Sequence, residues 1–259
     1  MLTHCDGMTL LQSLAMNEPL EIDNAQAIVS RKVLWFAVCY PTVLTVLYFI
    51  VLDGTSSVVQ GMVFSIGKTI QFGLPVWIVL RVNKEQLGVH RPRAAGVSMG
   101  VLFGLLALAL IVGIYQLALK PNAGIMSLLD EQVTSKVEGF QLNSVAAYTA
   151  LAAFYCLIHS AMEEYYWRWF VFNRFLRHWS LGQACAISSI GFMAHHVIVL
   201  GMFFGFENWM TYVFSIGVAV GGAVWAWIYN RSGNLYSAWI SHAFVDAAIF
   251  WVGYDILFQ

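Results

Sequence analysis

Seven times along the chain an apolar run of about twenty residues recurs, and this repetition restricts the fold more than any motif does. The runs cover roughly Val33–Leu52, Val58–Leu80, Gly96–Leu119, Val145–Met162 with its continuation, Leu181–Phe204, Trp209–Tyr229 and Asn234–Phe258. About 20 apolar residues wound as a helix cross the hydrocarbon of a bilayer. Lipid offers no partner to backbone N–H and C=O groups, so a segment crossing it must pair them internally. Of the 259 residues, 59% are hydrophobic and 10% charged, against about 25% charged in a soluble domain. The expected fold is all-α, a polytopic transmembrane helix bundle of about seven spans.

The connections supply the orientation. Arg31, Lys32, Arg81, Lys84, Arg91, Arg93, Arg168, Arg174, Arg177 and Arg231 fall on one side of a seven-span bundle, and Lys120 and Lys136 on the other. Basic residues mark the cytoplasmic face, which places the N-terminus inside and the C-terminus outside, in a cell (plasma or inner) membrane. Residues 1–32 carry Asp6, Glu18, Glu21 and Asp23 ahead of any basic residue. They read as a cytoplasmic or interfacial lead-in rather than a secretory signal, which needs a basic start followed by an apolar run. Between Lys120 and Asn143, the near-helical spacing of Leu128, Leu129, Val133 and Val137 predicts a short amphipathic helix on the outer surface. Lys68 and Pro75 interrupt the second run and predict a kink that meets a polar interior. The fourth run predicts one helix from about 145 to 178, bent or tilted near Glu163, with a break at Ser180–Gly182. A net charge of −1 carries no basic footprint for nucleic acid. Cys5, Cys39, Cys156 and Cys185 are scattered, with neither a zinc-ribbon spacing nor a disulfide framework.

Chemistry is expected only after residue 145, where ionisable residues recur inside apolar sequence: Glu163, Glu164 and Arg168; His195 and His196; His242 and Asp246; and an isolated His159. Charge in a membrane span costs several kcal/mol unless it is paired or working. Glu164 and Arg168 stand four residues apart on a helix, the spacing of an ion pair. Glu163 is turned about 100° from its neighbour and is left without a partner on its own helix. His242 and Asp246, again four apart, share one helix face. Counted at 1.5 Å per residue, Glu163 and His196 lie about 22 Å, and His242 about 13 Å, from turns on the same side. The three therefore occupy a common band in which they can converge.

A carboxylate and a histidine can hold and deprotonate a water molecule, and a second histidine with an acid can stabilise the oxyanion formed at a carbonyl. The alternative is a zinc site of Glu163, His196 and His242 with an open position for water. There is no H-E-x-x-H helix, and no serine or cysteine stands where a covalent nucleophile would. A scaffold or immunity protein that keeps these residues for packing is a reading of a different class. A proton relay is a third, disfavoured by the absence of inverted repeats.

Taken in order, E-E-x-x-x-R (Glu163, Glu164, Arg168), F-x-x-x-H (Phe192, His196) and H-x-x-x-D (His242, Asp246) resemble the CPBP family of intramembrane proteases, which joins CAAX prenyl endoproteases to bacteriocin-processing and Abi-type proteins. Ser188-Ser189 and Gly233-Asn234-Leu235 agree with it, and the resemblance covers roughly residues 145–258. It implies a four-helix catalytic core. In it Glu163 activates water with help from His196, His242 and Asp246 stabilise the oxyanion, and Glu164 and Arg168 are auxiliary. It implies a protein or peptide substrate that is membrane-anchored or lipid-modified. Asp246 stands where eukaryotic CAAX proteases carry Asn, which argues against a substrate restricted to prenylated CAAX proteins. The same family has been described as metalloprotease and as glutamate-type protease; the metal-free form is expected here. The organisation anticipated is a lead-in (1–32), three helices and an outer loop (33–144), and the catalytic core (145–259).

Overall fold

The computed structural model describes residues 29–84, 94–139 and 144–258, and its described residues are helical and contain no strand. Seven helices are long and apolar enough to cross a membrane. In chain order these are α1 (Arg31–Val51), α2 (Ser57–Val82), α3 (Ala94–Leu119), α5 (Val145–Phe175), α6 (Leu181–Phe204), α7 (Trp209–Ser232) and α8 (Leu235–Phe258). Between α3 and α5 lies α4 (Ala123–Gly139), too polar to span. Each predicted run thus becomes one helix, with ends displaced by a few residues. The lead-in up to residue 28 and the loop residues Arg91 and Arg93 lie outside the described residues.

Local chemistry sets the boundaries. Ser30, Ser56, Ser144, Ser180 and Asn208 each accept a hydrogen bond from the first turn of the helix that follows, satisfying N–H groups that have no partner inside the helix. At Ser180 the cap is reciprocal, because Gln183 reaches back to it. This cap puts the break before α6 at residues 176–179, just ahead of the expected Ser180–Gly182. Gly233 (φ 66°) ends α7 in the left-handed region, and α8 starts two residues later. The turn is tight enough to fix the depth of α8 against α7.

Packing follows the rule for helices in lipid, where close approach replaces the hydrophobic effect. α3 lies along α8, α6 along α7, and α1 backs onto α6. A Cβ at Gly104 would meet the Phe244 ring at 2.6 Å, so glycine there lets α3 press against α8. Aromatic residues of the second half of α5, including Tyr166, Trp167, Phe170, Phe172 and Phe175, fill the centre of the bundle. Val43, Leu102, Leu110 and Leu117 stand exposed on the periphery, as side chains that face lipid must. In α4, Leu129 and Val137 are buried and the helix packs on α8.

Candidate active site

α5 positions the glutamates by changing its winding twice. It widens to a π-helix at Tyr155–His159, returns to α-helix over Ser160–Glu164, and widens again at Tyr165–Phe172. Single π turns inside α-helices concentrate at functional sites, because the extra residue per turn redirects the side chains on either side. The two changes of winding flank the glutamates, where a bend or tilt was expected. Both carboxylates are buried, Glu163 at 6% exposure and Glu164 at 0%.

Glu164 is held tightly. Its Oε1 is 3.0 Å from Arg168 Nη1 and 2.8 Å from His242 Nδ1. Arg168 also donates from Nη2 to the Gly222 carbonyl at 3.1 Å. Its guanidinium lies over the rings of Phe192 and Trp225, at 4.8 and 5.1 Å. A Cβ on Gly222 would stand 3.2 Å from Nη2, so the glycine leaves room for the guanidinium. The planar cation thus has a carboxylate, a carbonyl and two aromatic faces, a set that offsets the cost of burying it. The four-residue spacing and the structure agree on this pair.

Glu163 is surrounded differently. His159 Nδ1 and His242 Nε2 lie 3.8 and 3.7 Å from its Oε2, and His195 Nε2 lies 3.9 Å from its Oε1. These separations are too long for hydrogen bonds. Two expectations are corrected here: Glu163 does have a partner on its own helix, and His159 is not isolated. The segment between them is α-helical, so the four-residue spacing stacks the two side chains. The signal was present in the sequence.

α6 supplies both histidines of the doublet. His196 Nδ1 is 2.8 Å from the Phe192 carbonyl. A carbonyl only accepts, so Nδ1 carries the hydrogen and Nε2 keeps its lone pair in the neutral ring. His195 stacks parallel to Trp167, with ring centroids 5.9 Å apart, and its buried Nδ1 makes no hydrogen bond among the described residues. The F-x-x-x-H spacing singles out His196; the structure brings His195 to Glu163 as well.

α8 supplies His242 and Asp246. Trp225 stacks on the His242 ring at 3.9 Å and is itself anchored by an indole N–H donated to Ser241 Oγ at 3.0 Å. With Glu164 accepting from it, Nδ1 of His242 carries a hydrogen, and Nε2 faces Glu163 and also Asp246 Oδ1 at 3.7 Å. Asp246 Oδ2 is buried without a hydrogen bond among the described residues. All six residues singled out from the sequence therefore meet in one place, contributed by α5, α6 and α8.

The cluster also offers a donor set for a metal. Ligand atoms of Glu163, His195 and His196 all lie within 4.8 Å of one another. Two imidazoles and one carboxylate, with a coordination position left open, form a donor set that suits zinc. The trio differs from Glu163, His196 and His242: His195 stands in the place expected of His242.

Residues 145–248 match the family model of the type II CAAX prenyl endopeptidase Rce1-like proteins. No curated protein and no solved structure matches the chain. The matched stretch takes in α5, α6, α7 and the first half of α8, and with them every residue of the cluster. The protein thus carries, over residues 145–248, a domain of the Rce1-like type II CAAX prenyl endopeptidase family.

Proposed function

We propose that the protein is an intramembrane endopeptidase that hydrolyses a peptide bond of a membrane-associated protein or peptide. Residues 145–259 form its catalytic core. The observation carrying this reading is the Glu163 carboxylate, buried in a membrane span and ringed by imidazoles of three helices without a hydrogen bond to any of them.

In the proposed reaction, water held by Glu163 and His196 loses a proton to the carboxylate of Glu163, and its oxygen attacks the scissile carbonyl carbon. The π electrons of the carbonyl move to oxygen. His242, doubly protonated, donates from Nε2 to this oxyanion, with Asp246 beside it and Glu164 holding Nδ1. When the intermediate collapses, the C–N bond breaks and the proton on Glu163 passes to the departing amine. Preorganised donors and a positioned base are the two largest contributions available to such a site. Arg168 acts through Glu164, holding it fixed under His242. If a divalent ion is bound, Glu163, His195 and His196 would hold it, and it would supply Lewis-acid polarisation and acidify bound water.

The cytoplasmic excess of Lys and Arg supports an N-terminus inside and a C-terminus outside. The Rce1-like match supports lipid-modified C-terminal peptides as substrates. The test is hydrolysis of a farnesylated, internally quenched peptide by the purified protein in liposomes. Glu163→Gln and His196→Ala should each abolish cleavage while the melting profile is kept. Unchanged cleavage by Glu163→Gln would overturn the reading. Loss of activity on chelation, with recovery on adding zinc, would assign the metal-bound form.

A further inference from the structure

A cation stands beside this cluster on a helix outside the family match. Lys68 lies on α2, where its ammonium donates to Gln71 Oε1 at 3.2 Å and sits between the rings of Phe64 and Phe72, at 5.4 and 5.6 Å. Among the described residues no carboxylate is within ion-pair distance of it. α2 is pinned on both flanks. Tyr40 of α1 donates to the Gly67 carbonyl at 3.0 Å, and Tyr165 of α5 donates to the Phe72 carbonyl at 3.1 Å. The Phe72 ring also meets Tyr166 edge-on.

The level of Lys68 follows from this registry. α2 and α5 are the second and fourth of seven spans and run in the same direction. Phe72 faces Tyr165 and Tyr166, so one turn back Lys68 stands level with Ala161 and Met162, next to Glu163. A half-buried ammonium whose partners are an amide oxygen and two rings keeps capacity for an anion.

We propose that Lys68 binds a carboxylate of the substrate, close in sequence to the scissile bond, and so acts as a specificity residue. The proposal rests on the peptidase reading above. Depth decides between anions. Lys68 is about 17 Å from the Ser57 end of α2 and about 21 Å from the Val82 end, out of range of lipid phosphates but within reach of a peptide seated at Glu163. Two carboxylates qualify, the chain terminus and an acidic side chain. A free terminus on Lys68 would place the cut a few residues from the end of the substrate.

The test uses farnesylated quenched peptides of one sequence with a C-terminal acid, a C-terminal amide, or the amide with an Asp near its end. The wild type in liposomes should cleave the acid at least tenfold faster than the amide. Lys68→Met should lower the acid to the rate of the amide, and Lys68→Arg should restore the preference. Faster cleavage of the Asp-amide peptide, lost in Lys68→Met, would assign the same subsite to a side-chain carboxylate. An equal fall for all three peptides in Lys68→Met would overturn the proposal, since a residue that merely supports Glu163 or the fold acts on every substrate alike. Binding separates this from failure of the peptidase reading. Glu163→Gln protein should bind the acid or Asp peptide more tightly than the plain amide, and the added Lys68→Met change should remove the difference. Equal binding of all three overturns the subsite, whereas the absence of any cleavage by the wild type overturns the peptidase.

Discussion

α8 carries an acid-centred cluster at each end, and the two are built differently. Near its C-terminus Asp255 Oδ2 accepts from Tyr115 at 2.7 Å and from Lys120 at 2.6 Å, tying α8 to the end of α3. At the other cluster the Glu163 carboxylate has three imidazoles at 3.7–3.9 Å and bonds to none. Both carboxylates are nearly buried, at 5% and 6% exposure. Burial alone therefore does not mark a working acid. Asp255 Oδ2 is taken up by two short hydrogen bonds, as expected of a structural clasp. Glu163 is surrounded by groups that stabilise or exchange charge while its oxygens stay open to a further partner. Glu164 belongs with Asp255, although it adjoins Glu163 in sequence.

The largest effect expected from this contrast is on rate. Glu163→Gln keeps the shape and removes the base, so cleavage of a peptide reporter should fall by about 10³-fold or more. The melting temperature should stay within a degree or two of wild type, because no hydrogen bond is lost. A fall in melting temperature matching that of Glu164 variants would erase the distinction between the neighbours.

Glu164 and Arg168 should behave in the opposite way. Removing one partner of a buried pair leaves a charge uncompensated, at a cost of about 3–5 kcal/mol. Glu164→Ala and Arg168→Ala should each lower thermal stability sharply, and the double variant should cost much less than the sum. Activity should fall too, since His242 loses the group that holds Nδ1. Additive losses would show that the two side chains do not act as a unit.

How far the sequence disclosed this contrast depends on the kind of signal. Spans were legible because length and apolarity alone determine them. Glu164 with Arg168, and His242 with Asp246, were legible because a four-residue spacing stacks side chains on a helix. The same rule joins His159 to Glu163. His195 and His196 are adjacent, and no spacing argument reveals that both rings reach one carboxylate from a third helix. Lys68 and the Tyr115–Lys120–Asp255 clasp depend on which spans become neighbours, and helices in lipid carry little sequence record of that. Lys120 reads from the sequence as a loop cation, and Asp255 was not singled out.

His159 tests the intermediate case. At 3.8 Å and a quarter exposed, it meets Glu163 without a hydrogen bond, so His159→Ala should slow cleavage by about tenfold. Stability should hardly change. A loss as large as that of His196→Ala would move His159 into the reaction itself.

The smallest effect on turnover is expected at the clasp. Asp255→Asn keeps an acceptor for Tyr115 and removes the charge facing Lys120. Charge-assisted bonds contribute about 1.5–3 kcal/mol, but the Lys120 side chain is 42% exposed and its share is screened. A loss of about 1–2 kcal/mol of stability is expected, with cleavage per folded molecule close to wild type. Tyr115→Phe, which removes the buried donor and leaves the exposed one, should cost at least as much. If Asp255→Asn instead slowed turnover while the fold stayed intact, the two ends of α8 would be coupled. The clasp would then set the position of His242 some thirteen residues away, about 20 Å along the helix, and a carboxylate held by short hydrogen bonds could no longer be read as structural alone.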